Sequence, residues 1–242
     1  YLEKLLRAID SSYRCLAFRA GALAAAPSDH LFKSLANLGI KLDVSIAAGL
    51  FVNDRNLQLD YHDCEEDFLP FYPDMEDARR VSDTREEIVC VPLNHFYGSR
   101  RAVTRQNISL AANRISKGAA KQPRAQRIND QKSDGQSRLA FAFDKLIKPA
   151  MKRKYFVSDT GRLNYRLMQE MLRSIRQRAR QSGLPQVPVV LTNHPKDIRD
   201  LAAIERFVGE MSRAEDIKFL TLTEIYRKLR SGEFQVRSRS RE

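Results

Sequence analysis

Val190-Leu191-Thr192-Asn193-His194-Pro195-Lys196 carries an apolar run straight into a histidine and a proline. The residues leading into it, Val187-Pro188-Val189-Val190-Leu191, are too few for a helix and rich in β-branched side chains, which predicts a parallel strand covered on both faces. Ile198, Leu201, Ile204, Val208 and Met211 then recur every three or four residues, predicting an amphipathic helix. His194 therefore falls at a strand-to-helix junction, on the edge of α/β sheets and β/α barrels where ligands bind. A lone histidine there also serves as a helix cap or a solvated side chain, so its role turns on the rest of the chain.

Tyr13-Arg14-Cys15-Leu16-Ala17-Phe18 predicts a first strand, broken by Arg19-Ala20-Gly21-Ala22. A helix follows, with Ser28 or Asp29 as N-cap, Leu31, Phe32, Leu35 and Leu38 on its apolar face, and Gly39 at the C′ position. Ile40 to Ile46 predicts the next strand, with Asp43 and Ser45 on it. Ile88-Val89-Cys90-Val91-Pro92 predicts another, leading into a loop from Leu93 to Gly98 that contains His95. Near the end Phe219 to Leu222 predicts a last strand, and Thr221 or Thr223 caps a helix that buries Ile225 and Leu229 and ends at Gly232. Alternating strands and helices make this an α/β chain with a mostly parallel sheet.

Phe18-Arg19-Ala20-Gly21, Leu38-Gly39-Ile40 with Asp43-Val44-Ser45, Leu191-Thr192-Asn193-His194 and Ile217 to Leu222 resemble, in order and spacing, the later motifs of the polysaccharide deacetylases of the NodB-homology family. The resemblance implies a partial, distorted (β/α) barrel of the polysaccharide deacetylase type. It also implies a divalent metal, zinc in most members, and removal of acetyl groups from N-acetylated sugars of a polysaccharide or oligosaccharide. Leu191 and His194 match the family's Leu-x-x-His motif, whose histidine protonates the departing amine and whose leucine lines the acetyl pocket. Arg19 matches the arginine that orients the catalytic base, and Asp43 resembles an acidic group near the acid histidine. The substrate side of the site is assigned to Leu191, Gly21, Ser45 and, from its own loop, His95.

Gly21 stands where the family has proline, and the chain contains no tryptophan. An Asp-Asp pair and a His-x-x-x-His metal motif would precede Arg19, and residues 1 to 18 hold neither, so metal ligands are not evident. The expectation is one catalytic-type domain over residues 1–242 whose amino-terminal part is missing. A metal activates the water and steadies the oxyanion in amide hydrolysis, so these residues alone are expected to be inactive.

His30, His62, His95 and His194 lack the short spacings of a zinc site. Asp60 to Asp67, rich in carboxylates around His62 and Cys64, predicts a solvated acidic loop. Three cysteines without framework spacing fit a reducing compartment, slightly favouring the cytoplasm, and no stretch has the length of a membrane span. The net charge of +12 is uneven: residues 100–137 form a basic insertion or flexible connection within the domain. A basic nucleic-acid-binding protein is the alternative, using that segment, the arginines from Arg162 to Arg180 and the tail from Arg237 to Arg241. Nucleic acid is the weaker partner because these stretches lack interleaved aromatics. A catalytically inactive carbohydrate-binding relative is the third reading.

Overall fold

The structure, a computed structural model, describes residues 2–27, 30–55, 57–116 and 154–239. Its strands are β1 (Ala17–Phe18), β2 (Leu42–Asp43), β3 (Phe51–Asn53), β4 (Gln58–Asp60), β5 (Val89–Cys90), β6 (His95–Gly98) and β7 (Lys154–Val157). Its α-helices are α1 (Leu2–Leu6), α2 (Leu31–Asn37), α3 (Arg100–Ser116), α4 (Tyr165–Ser182), α5 (Leu201–Met211) and α6 (Leu222–Ser231). The predicted caps Ser28 and Asp29, residues 117–137 of the basic segment, and Ser240-Arg241 of the tail lie outside the described residues.

The central sheet runs β1-β2-β5, all parallel, with Phe18 opposite Asp43 and Asp43 opposite Cys90. Parallel bridges extend it, Leu93 to Val190 and Thr192 to Asp159, so the chain around His194 lies between the end of β5 and the end of β7. Every one of these segments points the same way, which brings Arg19, Ser45, Asn94, Asp159 and His194 to one edge. The described residues form a mixed α/β fold whose small, mostly parallel sheet does not close into a barrel. Two antiparallel pairs, β3-β4 and β6-β7, accompany it.

One sheet face is closed by Leu42, Val44, Val89 and Val91 against Ile225, Leu229 and Phe234. Phe32 and Leu35 of α2 join a second cluster with Ile46, Tyr61, Phe71, Cys90 and Leu93. Burying each such large side chain is worth about 1.5–3 kcal/mol. In a third cluster α4 packs Leu167, Met168 and Met171 onto Phe96, Phe207 and Met211. Gly98 permits this approach, since a Cβ there would lie 2.7 Å from Leu167 Cδ2.

Several expectations are corrected. Residues 219–221 form no strand and Phe219 is exposed, because the chain passes directly into α6 through a Thr221–Glu224 capping box. The segment from His95 to Gly98 is a strand rather than a loop, since β7 supplies its partner. Arg100 to Ser116, the described part of the basic segment, is helix α3, with Ala102 and Val103 buried. Helix α5 begins only after Asp200, whose side chain accepts from Ala203 N–H, and so buries Ala203, Phe207 and Met211. Ile198, Leu201 and Val208, three of the predicted inward positions, are exposed, as is Leu38 beyond the end of α2. The capping of α2 itself differs, for His30 occupies the N-cap. Gly39 and Gly232 do take the left-handed conformation predicted for them.

Candidate functional site

Arg19 leaves β1 with its position fixed by the next strand. The Ala20 N–H donates to Ser45 Oγ at 2.8 Å, and the Ser45 hydroxyl donates to Asp43 Oδ1 at 2.6 Å. Ser45 N–H donates to Asp43 Oδ2 at 3.0 Å, and the Cys90 thiol faces the same oxygen at 3.8 Å. Asp43 is fully buried, and burial pushes its carboxyl up to about 6 in spite of these donors. Its role in the structure is to anchor the chain around Arg19 through Ser45, while its side-chain bonds go to Ser45 and Cys90 and not to His194. The loop beyond Arg19 is held from Tyr61, whose buried hydroxyl donates to Leu23 O at 2.6 Å and accepts from Ala25 and Ala26 N–H. Ala22 and Leu23 there have φ of 53° and 64°, a conformation that costs non-glycine residues energy and persists because the clamp enforces it. Gly21 is exposed with open space around it.

On the other side, Thr192 N–H donates to Ser158 O at 2.9 Å and Thr160 N–H to Thr192 O at 3.0 Å. These bonds fix the backbone just before His194, and a short 3-10 turn from Pro195 to Asp197 leads away. The result is a contact across 175 residues of sequence: Arg19 Nη2 lies 3.1 Å from His194 Nε2. A guanidinium can only donate, so Nε2 is the accepting nitrogen and the ring proton of the neutral imidazole sits on Nδ1. Nδ1 is buried, 3.5 Å from Asp159 Oδ2, and makes no hydrogen bond.

Asp159, Arg162 and Asp197 are the site residues that sequence reasoning missed. Arg162 binds Asp197 through Nε at 3.0 Å and Nη2 at 2.5 Å, and its Nε lies 3.4 Å from Asp159 Oδ2. The Arg162 guanidinium holds the Asp197 carboxyl below its usual range. Asp159 follows the short apolar run Tyr155-Phe156-Val157, the same pattern that singled out His194. Among the described residues, Asp159, His194 and Asp197 form a group that can hold a metal ion, their ligating atoms lying within 4.8 Å of one another.

Asn193 packs its side chain over Gly161, where a Cβ would come within 2.5 Å of Asn193 Oδ1. Gly161→Ala is therefore expected to move Asn193, and with it His194, at a stability cost below about 1 kcal/mol, because a flexible side-chain end can give way. Shifted His194 imidazole resonances beside a nearly unchanged thermal midpoint are the expected result.

The remaining assignments divide. Leu191 is half-buried beside the cluster that holds Phe207 and Met211. His95 instead stacks on Tyr155 at 5.3 Å between ring centres and faces Asp67 at 3.8 Å. Burial, with the Arg178 charge adding to it, holds its pKa below the ordinary histidine value. Arg178, one of the arginines of the nucleic-acid alternative, pairs with Asp67 and covers the Phe68 ring. Arg162 and Arg176 are likewise paired, with Asp197 and Asp216, which leaves fewer free cations between Arg162 and Arg180 for a phosphate backbone. Cys15, Cys64 and Cys90 are free thiols, and no helix of the described residues is long and apolar enough to cross a membrane.

No family model matches this chain, and neither does any curated protein or solved structure.

Proposed function

We propose that this chain carries the acid-histidine half of a site that hydrolyses the acetamido group of N-acetylated sugars in a polysaccharide or oligosaccharide. The observation that supports this reading is the meeting of Arg19 and His194 at 3.1 Å, with Asp159 behind the imidazole. An amine is a poor leaving group until it is protonated, and a histidine backed by a carboxylate is suited to deliver that proton. In this arrangement Asp159 faces the imidazole from its Nδ1 side. Arg19 withdraws from Nε2 as substrate enters, leaving that nitrogen to face the departing amine and its guanidinium to meet negative charge. Leu191, half-buried and close to His194 along the chain, supplies apolar surface for an acetyl methyl.

The resemblance also implies zinc to activate the attacking water. Asp159, His194 and Asp197 do not suit that task, since a metal on His194 would remove the proton donor. Proton delivery to the amine therefore rests on His194 with Asp159 and Arg19 beside it. Release of free amine from chitin oligosaccharides by the product of the whole gene tests the reading. Binding of the oligosaccharide without amine release would favour the inactive carbohydrate-binding relative, and absence of both would overturn the proposal.

A further inference from the structure

We propose that Asp159, His194 and Asp197 form a divalent-cation site whose occupation switches His194 off, with Arg162 and Arg19 as the built-in competitors of the metal. Two observations carry it. One ligating atom from each of the three lies within 4.8 Å of the others, and His194 Nδ1, 3.5 Å from Asp159 Oδ2, is buried without a hydrogen-bond partner. Zinc bonds of about 2.0–2.1 Å to nitrogen and oxygen place tetrahedral ligands roughly 3.4 Å apart, so modest side-chain rotations would close the group around an ion. One nitrogen and two carboxylates are a borderline-hard set that takes zinc, cobalt or nickel. Three protein ligands leave further positions for water.

The competition follows from charge and tautomer. Arg162 sits between the two carboxylates, 2.5 Å from Asp197 and 3.4 Å from Asp159, and must leave them for a divalent ion to bind. Coordination at Nδ1 requires the other neutral tautomer: the proton on Nδ1 is lost to solvent and one is taken up at Nε2, so the ring stays neutral and its single proton has moved to Nε2. Nε2–H and the Arg19 Nη2–H would be two donors facing each other, so the 3.1 Å contact breaks. Metal binding and the Arg19–His194 contact exclude one another. The same event detaches Asp159 from its service to the imidazole. The inhibitory consequence rests on His194 being the acid of the proposed hydrolysis, whereas the binding does not.

The test is calorimetric titration of zinc chloride into the purified protein without substrate, with cobalt chloride as a spectroscopic probe. One saturable site is expected, lost in His194→Gln and weakened at least tenfold in Asp197→Asn. Arg162→Ala is expected to bind zinc at least tenfold more tightly than the unaltered protein, an outcome that misfolding cannot imitate. Equal binding by the protein and by His194→Gln, or no gain in Arg162→Ala, would overturn the site. If zinc binds in this way while amine release never occurs, the site stands and only the hydrolytic reading fails.

Discussion

Replacing His194 with alanine in the product of the whole gene is expected to lower amine release from N-acetylated oligosaccharides by about 10²–10⁴-fold, the usual contribution of a general acid. That factor corresponds to roughly 3–5.5 kcal/mol of barrier. The loss should appear in kcat, because proton delivery to the departing amine matters only as the carbon–nitrogen bond breaks. KM should change little, since the imidazole is one small part of the surface a sugar would touch. Folding is not at stake: His194 is part exposed, and its ring contributes no hydrogen bond to the core. Arg19→Ala should cost less in kcat than the loss of the histidine, because Arg19 touches Nε2 without supplying the proton. An unchanged kcat in His194→Ala would remove histidine from the chemistry and leave the proposed function without its acid.

How much of the fold and site is legible in the sequence differs residue by residue, for physical reasons. The juxtaposition of Arg19 and His194 follows from local pattern in part: β1 forms as a strand, whereas the predicted strand before His194 is reduced to isolated parallel bridges at Val190 and Thr192, and these still bring both residues to one edge. Asp43 is legible as a site residue but not in its role. Its alternation along β2 says only which way a side chain faces, whereas the Ser45 and Cys90 donors around it depend on strand pairing. Asp159 has a weak signal in the apolar run that precedes it, whereas Arg162 has none, because the turn that carries it contains glycine and reads as an ordinary loop. Phe219 to Leu222 looks like a strand since four apolar or β-branched residues carry β-propensity, but the Thr221 cap and Glu224 commit the chain to helix from Leu222. His95 shows the limit of proximity in sequence: β6 turns away from the parallel sheet to pair with β7, taking His95 toward Asp67 and Tyr155.

Asp43 makes the second large effect one of stability. Its carboxyl, ordinarily near 3.8, is raised to about 6 by burial in the folded protein. The unfolded chain ionises first, so the folded state holds the extra proton between these values and loses relative stability as pH climbs. The contribution is complete below about pH 3.8 and gone once pH has passed 6, a swing of about 3 kcal/mol at roughly 1.4 kcal/mol for each pH unit. Asp43→Asn keeps the shape and cannot titrate. Urea unfolding of the two proteins should therefore show the stability of the aspartate form, measured against the asparagine form, falling by about 3 kcal/mol from about pH 3.5 to about pH 7.5. Carboxylates held low by arginine, Asp77, Asp197 and Asp216, weaken both proteins in acid and cancel in that difference. The ionised carboxylate is also the form that accepts from Ser45 N–H, Ser45 O–H and Cys90 S–H together. Ser45 Oγ then keeps its lone pair for Ala20 N–H, which fixes the peptide next to Arg19. Exchange of the Ala20 amide should accordingly slow as pH rises through about 6, once the intrinsic base catalysis of exchange is divided out. A pH-independent difference between the two proteins would mean that the carboxyl titrates alike in the folded and unfolded chain, its three donors offsetting its burial.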